Sequence, residues 1–164
     1  MKNFNYLLIS FILIISLNAC SGYKPIFSSS NLEFEIVKHT ISGNKKLGNN
    51  IYSKLYRLFK STDTNSEKKA INIEIDANKE KNSTVKNSAG KILEYKINLN
   101  TNIIFVDYLS GNIILKYSTN LSTSYKVQDQ YSKTKSLENK NMEDLINRTY
   151  QDLLIKISEI NISK

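Results

Sequence analysis

The chain carries one thiol and one imidazole, Cys20 and His39, and these two residues bound its chemistry. A lone histidine excludes a histidine-based metal cluster and any proton relay between two imidazoles. No glycine-rich phosphate loop is present, and the five glycines are scattered. Glu74 and Asp76 share a strand face with polar neighbours, where solvated surface is the plain explanation, and His39 is expected simply to end the first strand. Convergent titratable groups, which catalysis requires, are missing, so the chain reads as a non-enzyme without a cofactor or metal. Cys20 stands apart because of its position. It ends Leu17-Asn18-Ala19-Cys20, after an apolar run from Tyr6 to Leu17 that follows Lys2. A run of about twelve residues is too short to cross a bilayer as a helix and suits the core of a secretory signal.

Leu-x-Ala-Cys at the end of such a signal resembles the lipobox of bacterial lipoproteins. The resemblance implies cleavage before Cys20, a diacylglyceryl group on its thiol and an acyl chain such as palmitate on its new amino group. Asn18 departs from the small or β-branched residues usual at its position. The plainer reading is an ordinary signal whose cysteine is incidental. Residues 1–19 are then the signal peptide, and residues 20–164 form one domain anchored at Cys20. Several acyl chains anchor firmly where one alone is marginal. Ser21, not aspartate, follows the cysteine, which resembles the outer-membrane sorting class.

The 145 residues left after removing 19 from 164 suffice for one packed core. With its only cysteine acylated, the domain forms no internal disulfide and depends on packing. The net charge is +8, and +7 without Lys2. A basic domain suits an anionic partner. Export argues against nucleic acid. Lysine outnumbers arginine 21 to 2, with asparagine and isoleucine comparably abundant. That is the composition of an A+T-rich genome, so only the placement of the lysines is informative.

The elements that place them follow from periodicity. Period-two alternation predicts four strands. Their buried faces are Leu32, Phe34 and Ile36; Ile71, Ile73 and Ile75; Leu93, Tyr95, Ile97, Leu99, Ile103 and Phe105; and Ile113, Leu115, Tyr117, Leu121 and Tyr125. Tyr108-Leu109-Ser110-Gly111-Asn112 joins the last two as a hairpin. Spacings of three and four predict two helices. The first carries Leu47, Ile51, Leu55 and Leu58 and starts near Ser42-Gly43-Asn44. The second carries Met142, Leu145, Ile146, Tyr150, Leu153, Ile157 and Ile160, with Asn141 as N-cap and Glu143 and Asp144 in its first turn. Residues 61–69 and 79–91 read as polar loops. The order β-α-β-β-β-α, with one apolar sheet face, predicts an α+β two-layer sandwich: a four-stranded mixed sheet with both helices on one face.

A strand-helix-strand unit makes the first two strands parallel. The ends of strands one, two and four then share a pole. Its loops carry Lys38, Lys45, Lys79, Lys81, Lys86, Lys91, Lys133 and Lys135. The opposite pole holds Cys20, Lys68, Lys69 and the Ser110-Gly111 turn. The candidate ligand-binding residues are Lys79, Lys81, Lys86, Lys91, Lys133 and Lys135, at a basic pole far from the anchor. The bland alternative is a solvated lysine-rich loop set.

Cys20-Ser21-Gly22-Tyr23-Lys24-Pro25-Ile26-Phe27, the element order and the closing stretch Leu145-Ile146-Asn147-Arg148-Thr149-Tyr150-Gln151-Asp152-Leu153-Leu154 together resemble the lipopolysaccharide-assembly lipoproteins of the Gram-negative outer membrane, the LptE family. Ser21 and the near absence of arginine depart from that pattern. The resemblance implies a non-catalytic plug for the outer-membrane β-barrel LptD, which assists the barrel's assembly and binds lipopolysaccharide on its way to the cell surface. Lipid A phosphates would meet the basic pole. The alternative is an auxiliary periplasmic lipoprotein of another lipid-trafficking transporter.

Overall fold

The computed structural model describes residues 34–61 and 68–162. The expected signal, Cys20, Leu32 and most of the 61–69 loop lie outside the described residues. The elements are β1 (Phe34–Gly43), α1 (Lys45–Ser61), β2 (Lys69–Lys86), β3 (Ile92–Asp107), β4 (Ile113–Lys126) and α2 (Tyr131–Ile162). The strands form one sheet in the order β1-β2-β3-β4. β1 and β2 are parallel and the other pairs antiparallel, so the predicted α+β sandwich is the fold observed.

Alternation puts Ile71, Ile73, Ile75 and Ala77 of β2, and Ile97, Leu99, Thr101, Ile103 and Phe105 of β3, on the buried face. α1 covers that face with Leu47, Ile51, Leu55 and Phe59, and α2 with Met142, Leu145, Ile146, Leu153 and Ile157. Phe59 therefore takes the place expected of Leu58, which is half-buried. Phe34, Phe59 and Phe105 close one end of the core, their ring centroids 5.9–6.1 Å apart and edge to face. The opposite sheet face carries rows such as Asn78–Asn100–Asn120 and Glu80–Asn98–Ser122 in register across three strands. Among the described residues no element covers it.

Two glycines set the entry of α1. Gly43 has φ +67°, and a Cβ there would lie 2.5 Å from the Ala77 carbonyl oxygen. This turn brings the Asn44 N–H to the Ala77 carbonyl at 2.7 Å. Asn44 then caps the helix, its Oδ1 accepting the Leu47 N–H at 3.2 Å. Gly48 lets α1 lie against Ile41, whose Cγ2 occupies the space a Cβ would need.

Four expectations are corrected. His39 does not end β1. A bulge between Ile36 and Lys38 turns His39 and Ile41 toward the helices, and the His39 ring stacks on Tyr52 at 3.9 Å. Residues 79–86 are not loop but the second half of β2, paired with Lys96–Leu99 and neighbours of β3. Leu93 and Ile113 are exposed, because each lies past a register shift near its strand's end. α2 begins at Tyr131, ten residues before Asn141, which is interior, as are Glu143 and Asp144. Its inward positions there are Thr134 and Glu138, both buried, so polar residues continue the stripe and conceal its period. With 32 residues, α2 is about 48 Å long at 1.5 Å per residue, matching the roughly 46 Å of the 14-residue β4 that it covers.

Candidate functional site

Beyond Ala77, the inward positions of β2 are Lys79 and Lys81. Aliphatic side chains would continue the core, but α1 starts level with Ala77 and runs back over the first half of β2, so only the first turns of α2 lie above. Those turns present Glu138, whose side chain is 5% exposed. Its Oε1 accepts from Lys79, and from Lys135 at 3.0 Å; its Oε2 accepts from Lys81 at 2.7 Å and from the Tyr125 hydroxyl at 2.9 Å. The Lys81 ammonium also sits 4.0 Å from the Tyr95 ring centroid. Burial pushes the Glu138 carboxyl up, but hydrogen bonds from Lys79, Lys81, Lys135 and Tyr125 outweigh it and hold it well below the ordinary carboxylate range. Burial likewise opposes the charge of Lys81, yet Glu138 and Tyr125 hold its ammonium above the usual lysine value. Three cations share one carboxylate, so the cluster remains electropositive.

Lys79 and Lys135 also line one end of a groove of about 670 Å³ between the helices. One wall is the α1 stripe Lys46, Asn50, Ser53, Lys54 and Arg57, at spacings of three and four. The facing α2 stripe includes Asn139 and Glu143, and Leu47, Met142 and Ile146 form the floor. The groove exists because α1 packs chiefly on β1 and β2 while α2 packs on β3 and β4, leaving their facing sides polar. Lys46 and Arg57 make no ion pair among the described residues, and Lys54 lies 6.0 Å from the Tyr150 ring. Cations, amides and a hydroxyl around a shallow apolar floor can hold a phosphorylated or carboxylated ligand.

Of the candidate lysines, the fold gathers Lys79, Lys81 and Lys135 around Glu138. Lys86 ends β2, Lys91 follows the β2–β3 turn and Lys133 lies in the first turn of α2; all three are exposed. Cys20 lies outside the described residues. Sequence reasoning did not identify Glu138, Tyr125, Lys46, Lys54 or Arg57. The available signal was Glu138 itself, an acid one helical turn before Met142 on the apolar stripe and three residues after Lys135. Among the described residues no His/Cys/Asp/Glu group could hold a metal ion, and no helix is long and apolar enough to cross a membrane.

No sequence family matches the chain, and no curated protein matches it. Its fold, however, recurs in solved bacterial lipoproteins. A minor lipoprotein of Acinetobacter baumannii superposes with a TM-score of 0.52 at 16% identity, over 77% of this chain and 93% of its own. A Caulobacter crescentus protein described as a lipoprotein gives 0.52 at 12% identity, over 83% and 96%. Lipoprotein B of Nitrosomonas europaea gives 0.50 at 19% identity, over 81% and 88%. At these identities the likeness establishes the fold: the chain has the helix-on-sheet sandwich of these lipoproteins.

Proposed function

We propose that the chain is a non-catalytic, lipid-anchored subunit of the Gram-negative outer membrane of the LptE type. Cys20 carries the diacylglyceryl and N-acyl groups. The domain plugs and helps assemble the LptD barrel and binds lipopolysaccharide for delivery to the cell surface. The observation that carries this reading is the conjunction of the Leu-x-Ala-Cys signal with a fold shared along nearly the whole length of solved bacterial lipoproteins. The sheet face opposite the helices, with its rows of asparagine and serine, suits a wet barrel lumen. Ligand phosphates meet the interhelical groove, where lysine and arginine serve as charge donors. The exposed lysines Lys86, Lys91 and Lys133 extend the positive field at the distal pole.

The test is a pull-down of the tagged mature protein from detergent-solubilised envelopes, followed by mass spectrometry. A large outer-membrane barrel in equal amount is the expected result. An inner-membrane transporter instead would assign the chain to the auxiliary lipoproteins of another lipid-trafficking system.

A further inference from the structure

We infer that the β3–β4 turn is a membrane-contacting tip, with Tyr108, Leu109 and Ile113 entering the interfacial region of a lipid bilayer. The inference rests on the lipid-anchor reading of Cys20 for the choice of partner, and adds a second point of attachment. Hairpin turns are ordinarily polar. Here Leu109 is 88% exposed, Ile113 63% and Tyr108 51%. Three of the nine large hydrophobic side chains exposed among the described residues thus fall within six positions, which separates them from the scattered apolar residues of an ordinary surface.

The turn keeps its own backbone donors paired. Its five successive N–H groups all have partners within the protein. Tyr108 donates to the Ala70 carbonyl at 3.0 Å, and Leu109 and Ser110 donate to Asp107 Oδ1 at 3.0 and 2.8 Å. Gly111 donates to the Asp107 carbonyl at 2.9 Å, and Asn112 to the Ser110 hydroxyl at 3.3 Å. Unpaired backbone groups are what makes loop insertion into lipid costly; here the donors are paired, and the turn carbonyls can stay in the hydrated headgroup region. Asp107 itself is neutralised by Lys69 at 3.0 Å.

The position of the tip identifies the lipid surface as its partner. Phe34 pairs with Lys69, and Lys69 with Asp107, so β1 begins at the pole of this turn. Cys20 precedes Phe34 by 14 positions. Such a tether spans up to about 45 Å when extended, so acyl chains alone fix distance but not orientation. Lys60 and Lys68, beside Phe34 and Glu35 in a neighbouring groove, leave a net positive charge there for lipid phosphates. Two contacts at one pole hold the sheet with its distal, basic end away from the bilayer.

The chain has no tryptophan, so Leu109→Trp provides a single indole reporter at the tip. The full-length processed protein is reconstituted into vesicles of phosphatidylethanolamine and phosphatidylglycerol, some brominated on the acyl chains near the headgroup. Emission from the tip indole is expected to shift to the blue and to be quenched by the brominated lipid, whereas the indole of Lys91→Trp, at the opposite pole, stays in water. Ile113→Trp serves as a second reporter. The inference is overturned if the tip indole remains in water. It is overturned equally if that indole is already shielded without lipid, which would show that the chain's own segments cover it. Shielding that requires a barrel partner would assign the tip to a protein contact and also overturn it. The mass of the Cys20 peptide is read separately. Acylated Cys20 with the tip indole in water removes the tip and keeps the anchor; unmodified Cys20 with the tip indole in lipid removes the anchor and keeps the tip.

Discussion

Lys81 and Glu138 stand 57 positions apart in the chain and 2.7 Å apart in the fold. Their contact joins the far half of β2 to the first turns of α2 and recruits Lys79, Lys135 and Tyr125 to the same carboxylate. It explains why a lysine-rich stretch with little strand propensity is nonetheless strand. Of its inward lysines, Lys81 lies near the rings of Tyr95 and Tyr125, and both Lys79 and Lys81 end on the buried acid.

Glu138→Gln should destabilise the domain. Breaking a buried ion pair costs about 3–5 kcal/mol, and because the three lysines are a quarter to a half exposed, about 2 kcal/mol is expected. The check is a lower urea midpoint with an unchanged m-value. An unaltered midpoint would show that the cluster contributes nothing net.

Stability should fall in acid in a defined window. Backbone N–H of Ser110, aided by Lys69 and the Leu109 N–H, holds the Asp107 carboxyl at about 2 against an ordinary 3.8. Glu138 is held below its ordinary 4.5. Since both native carboxyls are depressed, the unfolded chain takes up protons first as pH falls. Their stabilisation is complete well above pH 4.5 and is lost as pH drops from there toward 2. Urea midpoints measured from pH 7 to pH 2.5 should show this decline, and Glu138→Gln should make it shallower.

Gly48→Ala should destabilise, against helix propensity. Alanine favours a helix interior by about 1 kcal/mol over glycine. Here its Cβ falls on Ile41 Cγ2, a branched methyl with little freedom to move, and overpacking typically costs about 1–3 kcal/mol. A lower thermal midpoint is expected, and a higher one would show that α1 can slide off β1.

Thr101→Val should stabilise by about 1 kcal/mol. The Thr101 hydroxyl is buried on the sheet face beneath the helices and has no hydrogen-bond partner among the described residues. Replacing it with a methyl of the same shape removes a desolvation cost and suits a strand. Destabilisation in a urea titration would reveal a partner for that hydroxyl.

Lys54→Glu with Arg57→Glu should weaken binding of purified lipopolysaccharide at least tenfold, the equivalent of about 1.4 kcal/mol. Lys86→Glu with Lys91→Glu, at the distal pole, should weaken it less. Lys86, Lys91 and Arg57 are exposed and Lys54 is half-buried; surface substitutions shift stability by only about 0.5 kcal/mol, so folding should persist in both. Equal losses would move the phosphate contacts from the groove to the distal pole.

The period-two runs of isoleucine fixed the sheet, its buried face and, through a β-α-β unit, the parallel pairing of β1 with β2. Local alternation and connection length determine these directly. The same reasoning misplaced His39, because one extra residue in β1 reverses the parity of everything after it and a bulge leaves little trace in composition. It misread Lys79 and Lys81 as loop and started α2 at Asn141, for a single reason. At those positions charged and polar residues occupy inward sites, and a charge is tolerated there only when a partner from a distant segment neutralises it. Glu138 is that partner for Lys79 and Lys81. The groove follows from the same dependence, since the facing stripes of α1 and α2 look like two ordinary solvated faces until the sheet sets the helices side by side. The sequence alone thus determined the apolar runs that leave water in the middle of each element, a local property of side chains and their spacing, but not Leu93 and Ile113 at strand ends or the buried Glu138. Which charges meet was decided only by tertiary structure, because electrostatic pairing depends on distances that the chain acquires on folding.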